Sequence, residues 1–204
     1  MSTGQDPIPA ATREFAGLVL AGGASRRMGS DKALLQIGSE RLVDRQVRIL
    51  SEAVGDPVHV GLPFGDSVAW PLPKGAIPIR DSQPDCGPLA GIVAGIEAAA
   101  SGRLVVVAVD LPRIHPDWIR SLLDRSRPGV GVVPVVGGLL EPLAAAYPRS
   151  ALSSASGRLR SGRLSVQEWA REGLEAGWLE PWTLTAGEAE ILLNWNRPQD
   201  WSPA

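Results

Sequence analysis

Cysteine and histidine are scarce in this chain of 204 residues: Cys86 is the one thiol, and His59 and His115 are the two imidazoles. A single cysteine excludes an internal disulfide, and without a C-x-x-C pair there is no thiolate zinc site, so a reducing cytoplasmic setting is expected. The histidines stand far apart beside no evident nucleophile, and each reads as structural. Excess positive charge is also missing, because 20 Lys and Arg against 22 Asp and Glu give a formal net charge of -2. Gripping a nucleic-acid backbone depends mostly on neutralising phosphates, so no nucleic-acid partner is expected and a small ligand is favoured. No apolar run approaches the roughly 18 residues a membrane helix requires, which removes a membrane partner of that kind. Residues 1–14, MSTGQDPIPAATRE, lack a basic stretch followed by an apolar one, and read as a flexible leader to a single domain over 15–204.

The most informative stretch is GLVLAGGASRRMGSDKALL, residues 17–35. The apolar run over 15–21 reads as a buried parallel strand, and it breaks at Gly22 and Gly23 into a loop carrying Arg26, Arg27 and Lys32. Paired glycines let the backbone approach a ligand closely and aim N–H groups at phosphate oxygens, while guanidinium and ammonium groups add charge-assisted contacts. That is chemistry for a polyphosphate. Neither common phosphate loop fits: Gly29 is followed by Ser30 and Asp31 before Lys32, and the adjacent Gly22 and Gly23 break the G-x-G-x-x-G pattern.

Strand and helix then alternate. Val43, Val47, Leu50 and Val54 share one helical face, ended by Gly55, Asp56 and Pro57. Strands are expected over 58–62 and 77–80, a helix from Pro88 to about Ala100, and a central β-branched strand over 104–109. This order predicts an α/β fold with a mostly parallel sheet covered on both faces. Gly137 and Gly138 separate runs over 130–136 and 139–147 at hairpin distance, which predicts a small antiparallel insertion. A further helix is expected over 165–172 and a strand near 182–185. The seven tryptophans read as packing rather than as a stacking platform.

In open α/β sheets, ligands gather beyond the carboxyl ends of the strands. Asp110, closing the 104–109 strand, is therefore expected to face the loop after the first strand and to hold Mg²⁺, which binds through one or two carboxylates plus substrate phosphates. The competing reading is a helix N-cap or turn aspartate before Pro112. Asp81 also follows a strand, and two roles fit it: accepting from a base or sugar hydroxyl, or closing an Asx turn. Gly91 and Gly95, one helical turn apart, serve equally for close packing or for ligand approach. Cys86 reads as a small loop residue.

The motif L-A-G-G-x-S-x-R-M-G-x-D-K resembles the signature loop of nucleotidyltransferases of the molybdenum cofactor guanylyltransferase type. GPLAGI at 87–92, DLP at 110–112, EPLAAAYP at 141–148 and NWNRPQD at 194–200 follow in that family's order. The resemblance implies a Rossmann-like nucleotidyltransferase fold, an α/β/α sandwich. It implies nucleotide binding by Leu20, Ala21, Gly22, Gly23, Lys32, Asp81, Gly87 and Asp110, with Asp110 on Mg²⁺ and with Arg27, Lys32 and Asp110 catalytic. GTP and Mo-molybdopterin are the implied substrates, with molybdenum-insertion proteins and apo-molybdoenzymes as protein partners. The implied reaction moves GMP from GTP to the molybdopterin phosphate. Related sequences carry an asparagine after the second strand, where this chain has Gly61, Leu62 and Pro63. A cytidylyl- or guanylyltransferase for another phosphate acceptor, and a nucleotide-binding delivery protein without turnover, are the alternatives.

Overall fold

A computed structural model describes residues 14–21, 32–55, 57–65, 70–81, 83–99 and 101–195. Gly22, Gly23, Arg26 and Arg27 of the first loop, leader residues 1–13, and 196–200 of the closing motif lie outside the described residues. Glu14, assigned above to the leader, is described, and its carboxylate accepts from the Arg103 guanidinium.

Apolar side chains on both sides of the central strands dictate a buried sheet with two covers. The chain runs β1 (Phe15–Leu20), β2 (Gln36–Ile37), β3 (Glu40–Arg41), α1 (Leu42–Val54), β4 (Val58–Leu62), β5 (Ala76–Arg80) and α2 (Gly87–Ala98). It continues through β6 (Arg103–Ala108), α3 (Pro116–Arg125), β7 (Gly131–Val136), β8 (Leu139–Leu140), β9 (Ala144–Pro148), α4 (Leu152–Arg160), α5 (Val166–Glu175), β10 (Leu179–Thr183) and α6 (Ala186–Ala189). The main sheet has the order β10-β7-β9-β6-β1-β4-β5, with β8 hairpinned onto β7 and β2 and β3 forming a separate ribbon.

Val105 and Val107 of β6 face one core with Leu42, Val47, Leu50, Trp118 and Leu122, from α1 and α3. Leu104 and Val106 face the other, with Leu89, Ile92, Tyr147 and Trp169, under α2, α4 and α5. The three layers thus follow from a period of two within a single strand. The β1 strand is parallel to both β4 and β6, which makes its carboxyl end a junction of the sheet. The antiparallel part is not peripheral: β9 lies inside the sheet, running against β6 on one side and β7 on the other. Its Ala144, Ala145 and Ala146 are buried, because small side chains are what the two covering layers leave room for there.

Gly95 shows the same economy of space. A Cβ there would stand 2.7 Å from Leu18 Cδ2 and 2.9 Å from Leu104 Cδ2, so this glycine serves close packing of α2 on the sheet.

Candidate functional site

Backbone hydrogen bonds stitch the carboxyl ends of the strands into one rim. Ala21 N–H donates to Gly61 O at 3.1 Å, Val109 N–H to Leu20 O at 3.1 Å, and Asp81 N–H to Leu62 O at 3.1 Å. The chain therefore stays in register just past the strand ends, where side chains stop facing the core and begin facing the crevice. Asp110 and Asp81 both emerge there.

Lys32 and Asp110 meet at this rim. Lys32, first residue of a 3₁₀ turn over Lys32–Leu34, places Nζ 2.9 Å from Asp110 Oδ2, and the two side chains are 18% and 19% exposed. The residues are 78 apart in sequence, so it is the sheet that joins the end of the phosphate-type loop to the acid beyond β6. A part-buried ammonium and carboxylate in contact form a site able to exchange partners with a polyanion and a cation.

The turn carrying Asp110 is anchored by residues to which the sequence assigns no role of their own. Gln46, fully buried on α1, donates from Nε2 to Leu111 O at 2.6 Å, and Arg45 Nε donates to Pro112 O at 3.0 Å. Trp195 N–H, in the closing motif, donates to Asp110 O at 3.0 Å, so the tail returns to this rim. Gln46 was legible in principle: it interrupts the apolar face of a helix at a position where an amide is tolerated only if it is bonded.

Asp81 occupies a narrow cleft lined by Leu20, Gly61, Leu62, Gly87, Pro88 and Gly91. Burial pushes its carboxyl pKa up to about 6. Gly91 is what keeps the cleft open, since a Cβ there would stand 2.7 Å from Leu20 Cδ2 and 3.6 Å from Asp81 Oδ1. Asp85 and Gly87 both take positive φ, of 56° and 63°, and turn the Asp81 loop back into α2. Leu20, Asp81 and Gly87 thus line one cleft, with Ala21 joined to its wall, while Lys32 and Asp110 pair on the same rim. Arg27, Gly22 and Gly23 are not described. Cys86 is buried, its thiol directed to Pro84 O at 3.4 Å.

The histidines stand apart from this rim's chemistry. His115 caps α3, its Nδ1 accepting from Trp118 N–H at 3.3 Å. His59 is buried inside β4, where burial lowers its pKa.

The model of the MobA-like NTP transferase domain matches residues 17–175. This chain belongs to that family. Among curated MobA-like relatives, a probable molybdenum cofactor guanylyltransferase from Opitutus terrae is 39% identical over 189 residues, covering 91% of this chain and 92% of the relative. One from Chloroflexus aggregans is 34% identical and covers 91% of each chain. The MobA-like fold is shared with a molybdopterin-guanine dinucleotide biosynthesis protein A from Archaeoglobus fulgidus, at a TM-score of 0.68 and 21% identity over 91% of this chain and 94% of that one. It is also shared with 2-C-methyl-D-erythritol 4-phosphate cytidylyltransferase from Thermus thermophilus, at a TM-score of 0.66 and 20% identity over 92% and 95%. The rim built above is thus the carboxyl edge of a nucleotidyltransferase sheet, and the chain's expected family and fold are those found.

Proposed function

We propose that this MobA-like protein transfers GMP from GTP to the terminal phosphate of Mo-molybdopterin, forming molybdopterin guanine dinucleotide and pyrophosphate. The observation that carries the reading is the Lys32–Asp110 contact at the rim, in a chain whose curated relatives are named guanylyltransferases. An acceptor phosphate oxygen bonds to the α-phosphorus of GTP as the bond from that phosphorus to the bridging oxygen breaks and the electron pair leaves with pyrophosphate. The nucleophile belongs to the substrate, so no activated Ser, Cys or Lys is needed. The protein's work is alignment and charge stabilisation.

Lys32 neutralises charge on the triphosphate, and Arg27 is assigned the same work from the sequence motif. Asp81, with Leu20 and Gly87, receives the nucleoside end, its ionised carboxylate accepting from guanine N–H donors. Asp110 supplies one carboxylate at the rim, which fits a Mg²⁺ ion held otherwise by phosphate oxygens. Bound there, the ion would offset charge developing at the α-phosphate. A second reading, transfer of a cytidylyl group or transfer to another phosphate acceptor, is favoured only by Gly61, Leu62 and Pro63, which offer no side-chain amide to a base. Pyrophosphate release by the purified chain with Mg²⁺, molybdopterin and either GTP or CTP separates the readings. Release with GTP is expected. Release with CTP alone overturns the guanylyl assignment, and nucleotide binding without release overturns turnover.

A further inference from the structure

Glu141 stands on the same rim, in the EPLAAAYP motif, with no part assigned so far. Because β9 runs against β6, its entry lies where β6 ends: Val107 pairs with Ala144, and Ala108 N–H donates to Leu143 O at 2.8 Å. The preceding turn is pinned from the other side, with Glu141 N–H donating to Pro134 O of β7 at 2.8 Å and Ala144 N–H to Glu141 O at 3.1 Å. Glu141 is thus held just past the end of β6 and beside Pro134 of β7, on the side of β6 away from β1 and the loop that follows it.

Its side chain is half-buried, yet among the described residues no donor or cation meets the carboxylate. Burial pushes its pKa upward with no compensating charge. A half-buried carboxylate with no protein partner, its oxygens still open to solvent, is free to accept hydrogen bonds from a ligand. Asp81 is the counterpart at the other end of the rim, likewise raised by burial, with Asp110 between the two along the strand order.

The transfer reaction proposed above requires the acceptor to approach the α-phosphate opposite the leaving pyrophosphate. With the donor nucleotide over β1, β4 and β5, the space left to the acceptor is over β9 and β7. A pterin presents a ring N–H beside an exocyclic amino group, a paired donor edge that a carboxylate accepts with both oxygens. We propose that Glu141 recognises the acceptor substrate, its carboxylate taking the paired N–H edge of the pterin and so positioning the phosphate for attack. It is a specificity residue for the acceptor, and it takes no part in nucleotide or metal binding.

The test is steady-state GMP transfer by the wild type, Glu141→Gln and Glu141→Ala, with calorimetric GTP binding and thermal unfolding of each. In both variants KM for Mo-molybdopterin is expected to rise about tenfold or more, since hydrogen bonds to a charged group contribute more than neutral ones. GTP affinity is expected to stay within about twofold, and the unfolding midpoint not to fall, because no partner within the described residues is lost. An unchanged acceptor KM overturns the proposal, as does an equal loss of GTP affinity or a marked fall in the midpoint. A wild type that transfers no GMP to molybdopterin overturns the reaction itself, and a wild type that transfers normally confines any failure to Glu141.

Discussion

Lys32 Nζ lies 2.9 Å from Asp110 Oδ2, joining the end of the glycine-rich loop to the acid beyond the central strand. Removing either partner is expected to separate two functions that the contact now unites. Asp110→Asn should lower turnover by about 10²-fold or more while GTP still binds, as loss of a group acting in the transition state does. Lys32→Ala should weaken GTP binding by roughly tenfold or more, through loss of a charge-assisted phosphate contact. Rapid-quench turnover and calorimetry measure the two effects. Without nucleotide, a double-mutant cycle on unfolding should return a coupling on the order of 0.5–3 kcal/mol, as for residues in direct contact.

Asp81 makes a pH prediction. Its folded pKa, about 6, lies above its ordinary value of 3.8 because burial disfavours the charged form. A raised pKa favours the folded state most at low pH, where the carboxyl is protonated in both states, and that advantage is lost as pH rises from 3.8 through about 6. Asp81→Asn should therefore unfold at a higher temperature than wild type at pH 8, the difference closing by pH 4. On the proposed reading binding runs the other way, because guanine donors would need the ionised carboxylate. The wild type's GTP affinity should fall below about pH 6 by more than that of Asp81→Asn, which corrects for protonation of the phosphate itself.

Gln46 tests the support beneath the acid. Gln46→Leu keeps the volume but strips Leu111 O of its buried donor, and an unsatisfied buried carbonyl costs roughly 1–3 kcal/mol. Denaturant unfolding should show that loss. Turnover should fall while GTP affinity is retained, because the DLP turn carries Asp110, whereas Lys32 comes from another loop.

Much of the sheet was legible because its strands obey simple patterns. The β-branched run ending at Asp110 and the glycine break after β1 both announce themselves, and the carboxyl-end rule then puts Asp110 and Lys32 on one rim. Four features were not legible, for physical reasons. Helix α3 opens on His115, an uncommon cap, so its start carries no ordinary signal. Helix α4, LSSASGRLR, has weak intrinsic propensity and is held by tertiary contacts. Among them, the buried Arg158 bonds Glu168 at 2.7 Å and Glu172 at 2.6 Å on α5. The central place of β9 follows from alanines filling the space between two layers, which no period in AAAYP foretells. The support of Asp110 by Gln46 and Trp195 is made through backbone carbonyls, and residue type alone does not encode those partners.

A structure of the chain with GTP and Mg²⁺ bound tests the central claim most directly. The account predicts that Lys32 Nζ leaves Asp110 for a triphosphate oxygen, that the Asp110 carboxylate ligates the metal, and that guanine enters the cleft of Asp81. A nucleotide bound elsewhere, with the Lys32–Asp110 contact intact at 2.9 Å, would contradict it.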